Sequence, residues 1–237
     1  MCVSRVQGLA AVGLVAFAVA APAALAQDKK ASESPVGGPA WNAKVSPEPA
    51  VAGVTLDAQQ MDVIKRVNEY FSGLDNLKGA FLQTTSDNKR LRGKFYLKKP
   101  GKARFEYSLP SKQLIISDGQ QIAIQDLDIS TDDRISVDQT PFRVLLRKDV
   151  DLLRDAHILE VQESPDLLIV ALQDKSKDSP GRVRLFLART PTLDLKEWVT
   201  TDAQGVDTRL EVSALDRTQP VDAALFKITS PTLTKPQ

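Results

Sequence analysis

From Gly79 to Asp126 the chain runs through five short period-two segments with almost nothing between them. They read "GAFLQTTS", "GKFYLKK", "KARFEYS", "QLIISDG" and "QIAIQD". In the third, Ala103, Phe105 and Tyr107 alternate with Arg104, Glu106 and Ser108. Such alternation marks strands with one apolar face and one wet face. Pro100-Gly101, Leu109-Pro110-Ser111 and Asp118-Gly119 separate the segments, each with local turn chemistry. A parallel return needs a crossover of a dozen residues or more, so connections this short admit only antiparallel neighbours.

The rest of the chain extends the pattern. "RISVDQ" is a further weak strand, and Thr140-Pro141 then reads as a helix start, a hydroxyl cap followed by proline. "FRVLLRKDVDLLRD" predicts one or two short helices carrying Phe142, Leu145, Leu146, Leu152 and Leu153. A second set of strands follows in "HILEVQE", "LLIVALQD", "RVRLFLA", "LKEWVTTD" and "VDTRLEVSAL", and "DAALFKI" closes the domain. Ahead of the sheet, Asp57 and Gln60 form a capping box for a helix with an apolar stripe at Ile64, Val67, Phe71 and Leu74, ended by Gly73. The expected fold is mainly β: about ten or eleven antiparallel strands, an N-terminal helix and a helical insertion between two sheet halves. A sheet that large curls into a barrel or an incomplete barrel. The helices, each with one apolar stripe, have the concave face of that sheet as their partner.

The ends of the chain have a different character. Arg5, the apolar run Gly8 to Ala20 and Ala24-Leu25-Ala26 form an n-region, a core and a cleavage site, so residues 1–26 read as an export signal. The single cysteine, Cys2, leaves with it, and the mature chain has no disulfide, no thiol nucleophile and no thiolate metal site. Residues 27–55, rich in Pro, Ala, Gly and Ser, read as a flexible tether; 56–232 form the folded domain and 233–237 a tail. With 31 basic and 30 acidic residues, the charge gives no case for nucleic acid or for a polybasic membrane contact.

Catalytic chemistry finds little support. His157 is the only histidine, and no G-x-S-x-G elbow is present. Ser117-Asp118-Gly119 reads as a hairpin turn. The acids of "DLDISTDD" lack the glycine and terminal glutamate of a calcium loop. No phosphate loop or dinucleotide fingerprint occurs, so neither catalytic residues nor a metal or cofactor are assigned.

Several stretches, in order, resemble the LolA family of periplasmic outer-membrane lipoprotein carriers. "FLQ" at Phe81 to Gln83 is similar to the family's first strand. "GKFYLKKPGKARFEY" is similar to its strand pair with K-R-P, and "LIISDG" at Leu114 to Gly119 to its next hairpin. "TPFRVLLR" at Thr140 to Arg147 resembles its lid-helix segment and "VDAALF" at Val221 to Phe226 its last strand. The resemblance implies an unclosed antiparallel barrel with a helical lid over an apolar cavity. It also implies a carrier without enzymatic activity. Such a carrier takes acylated lipoproteins from an inner-membrane ABC transporter (LolCDE-like), carries their acyl chains through the periplasm and delivers them to the outer membrane, where a receptor (LolB-like) is a further possible partner. A monomer is expected.

Alternation puts Phe95, Leu97, Ala103, Phe105 and Tyr107 on the concave face, and the resemblance adds Phe81 and Ile115. Ile64, Phe71 and Leu74 join from the helix and Phe142, Leu145 and Leu146 from the insertion. Periodicity alone fits a filled core as well as an open cavity; the resemblance favours the cavity. In the family an arginine before the proline latches the lid. Here Lys98-Lys99-Pro100 stands instead, and Lys99 is expected to reach lid carbonyls with a looser grip. Two other readings stay open: a lipid- or lipoprotein-sensing regulatory domain of the same fold, which expects a transmembrane or second domain, and an enzyme on lipid or glycan, which expects a polar cluster in the cavity.

Overall fold

The computed structural model describes residues 53–230. The expected signal peptide, the tail and all of the tether before residue 53 lie outside them. The end of the expected tether is tied down, since Val54 N donates to Ile158 O at 2.9 Å.

Helix α1 spans Ala58–Ser72. Asp57 accepts from Gln60 N at 2.8 Å, and Gln60 Oε1 accepts from Asp57 N at 3.1 Å, the expected capping box. Fifteen residues are marginal as an isolated helix in water, so the burial of Val63, Ile64, Val67 and Phe71 must hold it. Each such side chain contributes about 1.5–3 kcal/mol when removed from water.

Eleven strands form one antiparallel sheet. The first six are β1 (Asn76–Thr84), β2 (Arg90–Lys98), β3 (Lys102–Tyr107), β4 (Gln113–Asp118), β5 (Gln121–Asp126) and β6 (Thr131–Ser136). The last five are β7 (Ala156–Glu163), β8 (Leu167–Asp174), β9 (Arg182–Ala188), β10 (Asp194–Thr201) and β11 (Asp207–Asp216). Their order is β6-β5-β4-β3-β2-β1-β11-β10-β9-β8-β7. β6 and β7 are the two edges and do not pair, so the sheet is not closed. The chain starts at the centre, winds out to one edge, crosses to the other and winds back. Residues 137–155 therefore form a strap between the two edges.

That strap is the expected insertion between the sheet halves, with one short helix and a corrected start. Regular helix within it is confined to α2, Leu152–Asp155. Thr140 does not start a helix: its N–H and hydroxyl both donate to Val137 O, closing a 3-10 turn over Val137–Gln139. Residues 141–146 are turns, with Leu145 N and Leu146 N both donating to Phe142 O. The reason lies in competing partners. Leu146 O accepts from Gly101 N, Val150 N donates to the Ser72 hydroxyl, and Leu152 N donates to the Asn68 side chain. Bonds to the sheet and α1 replace the ladder a helix would make.

One glycine sets how tightly the central strands approach. Gly93 of β2 lies between Phe81 of β1 and Tyr107 of β3. A Cβ there would meet Glu106 O at 2.0 Å and the Phe81 ring at 2.7 Å. The bare backbone lets the Phe81 and Tyr107 rings meet edge to face at 5.0 Å.

The two faces of the sheet have different covers. α1 lies over the β7–β10 half of the inner face: Arg66 pairs with Glu163 at 2.9 Å, and the Tyr70 hydroxyl accepts from Leu195 N at 2.9 Å. On the outer face of β2 to β5 runs the C-terminal segment. Lys98 donates to Val221 O, Arg104 to Leu225 O and Gln125 to Thr229 O, while Val221 and Phe226 are buried. The stretch "VDAALF", expected as a last strand, instead makes a 3-10 turn over Ala223–Phe226, because Asp222 caps Ala224 N and Phe226 turns inward.

Candidate functional site

The inner face is an apolar wall built by strict alternation. Leu168, Val170 and Leu172 of β8 and Val183, Leu185 and Leu187 of β9 are at most 1% exposed. Across the sheet, Phe95, Phe105, Ile115 and Ile124 sit opposite one another in successive strands and so share the same face. There the cover thins: Phe105, Tyr107, Ile115, Ile122 and Ile124 are only partly buried. One half of the wall is sealed and the other leaves an apolar strip partly open.

A chain of rings runs through the interior. Phe95 stacks on Phe105 at 5.9 Å, Phe81 meets Phe105 edge-on at 5.6 Å, and Phe105 faces Trp198 at 6.5 Å. Phe142 of the strap closes the row against Trp198 at 5.7 Å. Edge-to-face pairs add about 0.5–1.5 kcal/mol beyond their buried area.

The strap is stitched down by a few polar links. Arg143 grips Asp174, at the end of β8, through two hydrogen bonds of 2.9 and 2.8 Å, and the Asp174 side chain is fully buried. Asp174 holds the Arg143 guanidinium above its ordinary value. The buried Ser179 hydroxyl donates to Thr140 O at 2.7 Å. The Lys99 ammonium donates to Phe71 O, at the C-terminal end of α1, at 2.5 Å. The bond matches the negative end of the helix dipole. Burial lowers Lys99 to about 8, against the opposing pull of Asp75. The backbone of the same turn holds the strap, through Gly101 N and Leu146 O.

Most of the expected wall residues come together. Ile64, Phe71, Leu74, Phe81, Phe95 and Leu145 belong to one buried cluster, with Leu97, Phe105, Tyr107 and Phe142 packed against it. Ala103, Ile115 and Leu146 stand outside that cluster, where the strap's buried anchors are Val144, Leu145, Val150 and Leu152. Sequence reasoning missed the β8–β9 wall, although the alternation in "LLIVALQD" and "RVRLFLA" carries it. It also missed Trp198 and the buried polar residue Gln83. His157 lies within β7 opposite Gln173. Ser117 and Asp118 end β4, where Ser117 donates to Gly101 O at 2.6 Å and Asp118 accepts from Gln120 N and Gln121 N, so both brace the adjoining turns. A groove of about 650 Å³ on the outer face is lined by Arg90, Arg184, Phe186 and Arg209 among others. Two of its arginines are already paired, Arg184 with Glu160 and Arg209 with Glu197.

Among the described residues, no helix is long and apolar enough to cross a membrane. The chain is 26% identical over 183 residues to an outer-membrane lipoprotein carrier protein of Leptothrix cholodnii, covering 73% of this chain and 84% of that one. It is 26% identical to the protein of the same description from Chromobacterium violaceum, covering 77% and 90%. A LolA superfamily protein of known structure from Nitrosomonas europaea aligns over 73% of this chain and 99% of that one, with 14% identity and a TM-score of 0.41. The model of the family described as outer membrane lipoprotein carrier protein LolA matches residues 72–229, and the chain belongs to that family.

Proposed function

We propose that this protein is a periplasmic carrier that shelters the acyl chains of lipoproteins inside its curled sheet. The observation that carries the reading is the unequal cover of the inner wall. α1 and the strap seal the β7–β10 half, while Phe105, Tyr107, Ile115, Ile122 and Ile124 stay partly open. Acyl burial is worth about 0.8 kcal/mol per methylene, so lipid tails leave a membrane only for another apolar surface. A wall that binds by area tolerates varied cargo. The strap supplies the competition. It closes on the wall when empty and yields when a lipid displaces Phe142 from Trp198. Its attachment by side-chain links at Arg143 and Ser179 and one backbone bond at Gly101, without a strand ladder, suits a part that must move.

On this reading the lining residues are Ile64, Phe71, Leu74, Phe81, Phe95, Leu97, Ala103, Phe105, Tyr107, Ile115, Phe142, Leu145 and Leu146. Lys99 steadies α1, and Arg143 with Asp174 latches the strap. The donor is an inner-membrane lipoprotein-releasing ABC transporter, and the acceptor is the outer membrane or a receptor on it. The test is release of spheroplast-bound lipoproteins by the purified mature protein. A soluble complex of protein and lipoprotein is expected, and its absence while the transporter is active overturns the reading.

A further inference from the structure

Gln83 stands on the inner wall among apolar neighbours and is 1% exposed. Its cross-strand partners are Leu91 and Leu210, with Trp198 beyond Leu210. Across β2, where Gly93 leaves the space, its Oε1 accepts from the Tyr107 hydroxyl at 2.5 Å. Its Nε2 is buried with no partner among the described residues. Burial pushes the Tyr107 phenol well above its ordinary value, so it stays protonated and donates. With the amide oxygen facing the Tyr107 hydroxyl, the NH2 group is the free end.

A buried donor with no acceptor is costly and uncommon in folded proteins. Here it lies in the wall proposed to hold acyl chains. An acyl chain brings one polar group into such a place, the carbonyl at its head, and that carbonyl only accepts. Resting on the function proposed above, we propose that the Gln83 amide donates to an acyl carbonyl of the cargo, ester- or amide-linked, and thereby sets how deep the chains enter. The bond would read the one feature all acylated cargo shares, leaving the attached protein unread. Among the described residues the donor has no partner, so cargo gains a bond without breaking one within the protein.

The experiment compares binding of a fluorescent diacyl ester lipid with its dialkyl ether analogue of equal chain length, which lacks the carbonyl. The wild type is expected to prefer the ester about fivefold, the worth of one net hydrogen bond. Gln83→Leu is expected to bring the ratio to about one, as is the pair Gln83→Met with Tyr107→Phe, which leaves no polar atom orphaned. Infrared spectra of the carbon-13-labelled ester carbonyl are expected to move to lower frequency in the wild-type complex and not in the variants. Equal binding of ester and ether by the wild type overturns the inference while leaving the carrier reading intact. An ester preference that survives in the variants removes Gln83 from the assignment. Binding of neither lipid overturns both the inference and the carrier reading.

Discussion

Arg143 of the strap and Asp174 of β8 meet through two hydrogen bonds of 2.9 and 2.8 Å, with the carboxylate fully buried. The guanidinium fork matches the carboxylate in a way lysine would not. The pair joins the crossing connection to the sealed half of the wall, close to Phe142, which rests on Trp198.

Breaking that pair should loosen the strap more than the sheet. Asp174→Asn removes the charge but keeps an acceptor for Ser176 N, which now bonds Asp174 at 2.8 Å. Losing one partner of a buried ion pair costs roughly 3 kcal/mol. Urea unfolding should show that loss, and hydrogen exchange should rise at residues 141–146 ahead of the β8–β9 wall. Unchanged exchange in the strap would remove the pair from the latch.

Phe142→Ala separates plug from wall. Phe142 is only partly buried, so stability should fall by roughly 1–2 kcal/mol, below the range for a fully buried phenylalanine. Lipid affinity should rise up to about tenfold, because the closed state loses that much of its advantage. Titration with a fluorescent acyl lipid measures it, and a drop in affinity would make Phe142 a cargo contact in place of a plug.

Lys99 gives a pH signature. Its folded value of about 8 lies below the ordinary 10.5, mainly through burial. Between those values the unfolded chain binds a proton that the folded one lacks, so this residue makes stability rise with pH across that window. Below about 8 both states are protonated and the contribution is flat. The stability of the wild type relative to Lys99→Met should therefore grow from pH 8 to 10.5. A difference that stays constant across this range contradicts the buried placement against Phe71 O.

Gly93→Ala should be among the most damaging small substitutions in the sheet. The added methyl would sit 2.0 Å from Glu106 O, and a backbone carbonyl within a strand cannot step aside. A loss of roughly 3 kcal/mol or more is expected in urea unfolding. Full stability would mean that β2 and β3 are farther apart than described.

Local chemistry sufficed for much of this molecule. The capping box at Asp57 and Gln60, the buried stripe of α1 and nearly every strand of the sheet follow from alternation and turn residues acting over a few positions. The shared face of Phe95, Leu97, Phe105 and Tyr107 follows from the same period of two. What only the tertiary structure decided is whatever depends on partners distant in sequence. The strap kept only the short helix α2 of its expected helices because its backbone groups and Arg143 found acceptors and donors on α1, β8 and the β2–β3 turn, which no local pattern announces. Lys99 went to α1 for the same reason: the Phe71 carbonyl at the helix end lies 28 positions away in sequence, yet the fold brings it to the ammonium. The open strip along β3 to β5 is likewise a matter of where the covers come to rest. An apolar residue reads the same in sequence whether another side chain seals it or leaves it free.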